Sequence, residues 1–141
     1  MTRILTHQTP LHPAFGRLRL VAIGVGGALG ALARAGLGEA LPAEGGWPWG
    51  TFTANMAGTI LLAWLFGFLT TPGTRTRLWR LFAGTGFCGA LTTFSGFQVE
   101  LIALSKDGRV GLAAGYAAAS VVGGLLLALG AGAAGREMAR R

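Results

Sequence analysis

Four runs of mostly apolar residues, each long enough to cross a bilayer, restrict this chain more than any single motif does. A spanning helix needs about 20 such residues. Within hydrocarbon, the backbone N–H and C=O groups must be satisfied inside the helix itself. The runs cover about 18–37, 49–71, 79–104 and 110–134, and the first includes fourteen consecutive Ala, Val, Ile, Leu or Gly residues from Leu20 to Ala33. They predict an all-α integral membrane protein with four transmembrane helices in one unit, 18–134. Residues 1–17, with His7, Pro10, His12 and Pro13, lack the continuous apolar core of a secretory signal and read as an aqueous tail. A short basic tail, 135–141, closes the chain.

Composition excludes the common alternatives. Of the 141 residues 52% are hydrophobic and only 12% charged, against about 25% charged in soluble domains. The 25 glycines favour close helix packing in such an apolar chain. A net charge of +7 is shared among short clusters between the runs and forms no continuous nucleic-acid-binding face. Cys88 is the single cysteine, so neither a disulfide framework nor a cysteine-rich metal site can form.

The connections are short: a Gly/Pro loop from Pro42 to Pro48, a turn from Pro72 to Arg77, and a polar link from Ser105 to Arg109. Trp47, Trp49 and Trp79 fall at predicted span ends, where aromatic belts sit. Four spans put both termini on one side. That side carries Arg3, Arg17, Arg19, Arg75, Arg77, Arg80, Arg136, Arg140 and Arg141, against Lys106 and Arg109 on the other. By the positive-inside rule this bias predicts cytoplasmic termini.

Several polar residues lie where lipid disfavours them. GVGGALGALAR, Gly24 to Arg34, does not match a dinucleotide fingerprint, because its third glycine comes one residue late and no strand precedes it. Gly26, Gly30 and Arg34 instead share a helix face. Arg34 is about 21 Å along the helix from Leu20 at 1.5 Å per residue. It either snorkels to the interface or serves a structural or electrostatic role beside an aqueous vestibule. The second run opens with Thr51, Thr53 and Asn55, and Thr51 shares a face with Asn55. Asn55 can join helices or donate into a polar path. Tyr116 and Ser120, four apart in the fourth run, leave the same two readings open.

The third run is the least helix-like. GFCGALTTFSGF, Gly86 to Phe97, combines three glycines with Thr92, Thr93 and Ser95. Glycine costs about 1 kcal/mol relative to alanine in a helix, and threonine is stiff at its first torsion. A helix broken near the midplane is expected there, with the freed backbone groups satisfied by protein, water or an ion. Phe94 and Phe97 follow three apart, either as packing or as the wall of a path.

The runs hold no Asp, Lys or His, and their one carboxylate is Glu100. A proton-coupled transporter wants a carboxylate at depth, and no nucleophile, base and orienting group can be assembled into an enzyme. The buried polar groups are mainly donors, and a phenylalanine ring edge is electropositive. An anion path is therefore favoured over a cation path.

GGALGALAR in the first run, GTFTAN followed by Gly58 in the second, and above all GFCGALTTFSGF in the third resemble the small bacterial fluoride channels called Fluc or CrcB. The resemblance extends from about Val21 to Gly130. It implies an antiparallel, dual-topology-type dimer with two narrow pores. The carbonyls of Gly89 and Thr92 would hold one structural, non-transported sodium ion at the dimer centre. Phe94 and Phe97 would line the fluoride path with ring edges, Asn55 and Ser95 would donate hydrogen bonds, and Tyr116 and Ser120 would lie further along. Arg34, Thr51 and Glu100 would be vestibule or structural residues. The chain departs from the family pattern at Gly96 and Gln98, where a threonine and a serine are common, and at Gly124, where a further serine is missing. Its charge bias predicts either a homodimer that disobeys the charge rule or pairing with an oppositely biased paralogue. The competing readings are a small dual-topology exporter of organic cations and a non-conducting membrane assembly subunit.

Overall fold

A computed structural model describes residues 13–69 and 74–141. His7 and His12, and Thr70 to Gly73 of the second connection, lie outside the described residues. The described residues form helices joined by short connections, with no strand among them. Helix α1 spans Pro13–Ala40, α2 Trp49–Phe68, α3 Thr74–Trp79, α4 Gly89–Leu91, α5 Phe94–Lys106 and α6 Val110–Arg140. A π-helical segment, Arg80–Cys88, joins α3 to α4. Four helical stretches, 16–40, 49–68, 76–106 and 110–140, have the length and composition to cross a membrane. The third helical stretch begins before its apolar run, with Arg77 in the last turn of α3.

Glycine sets how closely the helices approach. A Cβ on Gly26 or Gly30 of α1 would collide with the carbonyls of Phe82 and Phe87 in the π segment. Those carbonyls are five residues apart, one π-type hydrogen-bonded turn, and face glycines four apart, one α turn. The π register thus brings two carbonyls of one helix onto the glycine stripe of the other. On the far side of the bundle, Gly67 of α2 lies against the Gly132 carbonyl of α6, and Gly135 of α6 against Trp64 and Phe68. Backbone contact of this kind gains dispersion energy where lipid removes any hydrophobic drive between helices.

Little of the apolar surface is covered. The buried apolar side chains among the described residues are Ala54, Leu65, Cys88, Leu91, Leu104, Ala113 and Tyr116, while Leu20, Leu32, Phe94 and Leu126 stand open. An apolar exterior of this extent fits a lipid environment.

Both connections opposite the termini are tight. Gly45 and Gly46 take φ of 65° and 85° in the first, within the short 3₁₀ turn Glu44–Gly46. In the second, Arg109 N–H bonds the Leu104 carbonyl at 2.9 Å and Gly108 N–H bonds that of Ser105 at 3.2 Å. With Gly108 at φ 74°, this is a Schellman ending that satisfies the last carbonyls of α5.

Candidate functional site

The polar residues converge on Thr92 and Thr93, the two residues between α4 and α5. Both are extended, with φ/ψ of −81°/150° and −145°/122°. Thr92 still closes the preceding turn: its N–H and its hydroxyl both donate to the Cys88 carbonyl, at 3.0 and 2.9 Å. Thr93 then caps α5, its Oγ1 accepting from Gly96 N–H at 3.1 Å. Side-chain acceptors at this position satisfy one of the orphan amides of a helix start.

Asn55 holds Thr93 from the neighbouring helix. Its Nδ2 donates to the Thr93 carbonyl at 3.1 Å, and its Oδ1 accepts from the Thr93 amide at 2.8 Å. Arg34 reaches across from α1, and its Nε donates to the Ala90 carbonyl at 3.1 Å. The cation therefore meets the carbonyl end of α4, where the helix dipole is negative. Gly58 lets α2 approach, since a Cβ there would run into the Thr92 methyl group.

These bonds divert amides from the helical ladder. In a continuous helix the Gly89 carbonyl would accept from Thr93 N–H, which instead donates to Asn55. The Thr92 carbonyl would accept from Gly96 N–H, which instead donates to Thr93 Oγ1. Gly89 and Thr92 thus present carbonyl oxygens released from their usual donors. Among the described residues there is no cluster of His, Cys, Asp or Glu able to hold a metal.

A second polar centre lies two turns along α5. Glu100 accepts from Thr51 Oγ1 at 2.5 Å on one carboxylate oxygen and from Tyr116 O–H at 2.7 Å on the other. Tyr116 is fully buried. Its hydroxyl is engaged by Glu100, while Ser120, one turn further on, is half-buried. Aromatic rings continue the line. Phe94 and Phe97 have centroids 6.0 Å apart, Phe97 and Tyr116 5.2 Å, and Tyr116 and Trp47 meet edge to face at 5.4 Å. Ser95 Oγ is 3.2 Å from Thr93 Oγ1.

Three cavities follow these groups. One of about 290 Å³ is bounded by the first loop together with Gly38, Thr51 and Glu100. A second, of about 260 Å³, has Gly38 and Thr51 in common with it and continues to Arg34, Thr93 and Gly96. The third, about 290 Å³, is lined by Asn55, Thr59, Thr92, Thr93 and Phe94. Thr93 lines both inner cavities. Gly96, the position where a hydroxyl is missing, lines one of them and supplies the amide that Thr93 Oγ1 caps.

The sequence singles out Thr51, Asn55, Thr92, Phe94, Ser95, Phe97, Glu100 and Tyr116, and the structure draws them around α5. It does not foretell the role of Thr93 as cap, nor the aromatic packing of Trp47 and Phe52 on Tyr116. A threonine three residues before a helical glycine is the signal that could have marked the cap.

Four spanning helices gathered around an extended, side-chain-bonded backbone segment define a small multi-pass helical membrane protein. The chain belongs to the CrcB family: the model described as CrcB-like protein, Camphor Resistance (CrcB), matches residues 21–133. It is 48% identical over 114 residues to fluoride-specific ion channel FluC 1 of Mycobacterium bovis, covering 76% of this chain and 82% of that one. Over 112 residues it is 45% identical to fluoride-specific ion channel FluC 2 of Geobacillus kaustophilus, covering 75% and 84%. Over 110 residues it is 43% identical to fluoride-specific ion channel FluC of Bordetella avium, covering 78% and 86%. The family is one of ion channels and not of enzymes.

Proposed function

We propose that this chain is a fluoride-selective channel that lets cytoplasmic fluoride leave passively across the inner membrane and so reduces its toxicity. The observation that carries the reading is the Thr92–Thr93 segment, held by Asn55 and lined by hydroxyls, phenylalanines and an arginine. The names of the relatives supply the ion. Hydrogen fluoride enters uncharged from acid surroundings and dissociates inside. A negative-inside potential then drives the anion outward with about 2.3 kcal/mol per charge per 100 mV, so no coupling site is required.

In this proposal two copies pair antiparallel, or one copy pairs with an oppositely biased paralogue, and the third helix, broken near the midplane, crosses its counterpart. Gly89 and Thr92 fit a structural sodium ion because their carbonyls have lost their ladder donors, and oxygen ligands suit a hard cation. Sodium bound there supplies a fixed positive charge near the path of an anion. The termini are cytoplasmic. Phe94 and Phe97 present ring edges to fluoride, Asn55 and Ser95 donate, and Tyr116 and Ser120 continue the track. Glu100, with both oxygens engaged by hydroxyls, is ill suited to binding an organic cation.

Fluoride-electrode recording from proteoliposomes tests the reading. Rapid fluoride efflux with no chloride efflux is expected. Absence of fluoride efflux from sodium-loaded vesicles would overturn it in favour of an exporter or a non-conducting subunit. Reporter fusions at the C-terminus separate the two dimers, since equal populations on both sides exclude an obligatory paralogue.

A further inference from the structure

We propose that Arg109 is a positioning residue, clasping the 41–48 loop so that it forms a fixed outer rim to the cavity that leads to Thr51 and Glu100. The inference rests on the channel reading, but the clasp itself can be measured without fluoride.

The loop is built from local bonds. Glu44 N–H donates to the Pro42 carbonyl, Gly46 N–H to that of Ala43 and Trp47 N–H to that of Glu44. Bonds of this kind shape a turn without fixing where it sits. Arg109, from the opposite connection, supplies the tie: its guanidinium donates to the Gly45 carbonyl. The guanidinium also occupies the space that a Cβ on Gly46 would take. Gly46 is thus required twice, for its φ of 85° and for the room it leaves to the cation.

Arg109 is itself held firmly. Its N–H is bound to Leu104 and its carbonyl accepts from Ala113 N–H at 3.0 Å, so the side chain projects from the junction between α5 and α6. Leu104 lines the same cavity as Pro42, Ala43, Gly46, Thr51 and Glu100. One cavity wall is therefore anchored to the residue that clasps the opposite rim. A planar guanidinium with several donors suits lying flat on glycine backbone while bonding a carbonyl, which an ammonium does less well.

A charge effect and a clasp effect are separable. Arg109→Ala removes both the charge and the clasp. Gly46→Ala leaves the charge and displaces the guanidinium. In a Cys88→Ser background, a spin label on Glu44→Cys reads loop mobility, and modification of Ala103→Cys by a water-soluble thiol reagent reads access to the cavity. Both substitutions are expected to raise label mobility, change the thiol reaction rate several-fold and lower fluoride efflux. The efflux loss should be several-fold and should persist at high ionic strength. Unchanged label mobility in Arg109→Ala overturns the clasp. So does full activity in Gly46→Ala combined with a salt-suppressible loss in Arg109→Ala, which would mark simple attraction of anions. If mobility rises in both variants while the unsubstituted protein carries no fluoride, the clasp stands and the channel reading falls.

Discussion

Asn55 binds both polar backbone atoms of Thr93, donating to its carbonyl at 3.1 Å and accepting from its amide at 2.8 Å. One amide side chain thereby replaces the helical partners that an extended residue in a membrane has lost. Asn55→Leu leaves two polar groups without partners, at about 1–3 kcal/mol each. Thermal unfolding in detergent should show a marked drop in midpoint. Asn55→Asp keeps the acceptor and loses the donor, so it should be destabilised less while still losing most fluoride efflux.

Phe94 and Phe97 should separate stability from conduction. Phe94 is 71% exposed in the single chain, whereas Phe97 packs on Tyr116 at 5.2 Å. Phe94→Ile should leave the unfolding midpoint of detergent-solubilised protein nearly unchanged. Phe97→Ile should lower it, the lost ring pair being worth about 0.5–1.5 kcal/mol of stability. Both should reduce fluoride flux in liposomes without preventing assembly. Unchanged flux in both variants rejects these rings as the wall of the pore.

Tyr116→Phe removes the donor to Glu100 and keeps the ring contacts. A hydrogen bond to a charged group contributes about 1.5–3 kcal/mol, and the midpoint should fall accordingly. In a Glu100→Gln background the same change should have a smaller effect, since the acceptor is no longer charged. A double-substitution cycle measures this coupling, expected in the range of about 0.5–3 kcal/mol for residues in direct contact.

Gly58→Ala places a methyl group against the Thr92 Cγ2 atom. Overpacking of this kind typically costs about 1–3 kcal/mol, and it should displace Thr92 and lower fluoride flux. Thr92→Ser removes that methyl and keeps the hydroxyl that bonds Cys88. The paired variant Gly58→Ala, Thr92→Ser should recover flux relative to Gly58→Ala alone, as read by the fluoride electrode.

Much of the site was legible at the level of residue type. Gly89, Thr92 and Thr93 are poor helix residues in an apolar run, and the propensities that disfavour a helix there are local. Arg34 was ambiguous from sequence, because a long side chain at that depth can reach either the interface or the protein interior. Its bond to the Ala90 carbonyl depends on where the third helical stretch lies, which no local pattern encodes. Gly96 looked like a missing hydroxyl. Within the fold its N–H donates to the capping Thr93 Oγ1, and a Cβ there would meet the Thr93 methyl group at 2.9 Å.

The sequence by itself determined four spanning helices, because apolar run length and the need to satisfy backbone groups within each span are properties of contiguous residues. It also determined that the spans carry hydroxyl and amide side chains and a single carboxylate, Glu100. Tertiary structure alone decided which groups meet. Asn55 and Thr93 are 38 residues apart in the chain, Arg34 and Ala90 are 56 apart, and Arg109 and Gly45 are 64 apart. Such pairings follow from glycine-controlled helix approach and loop closure, and both exist only once the helices have packed.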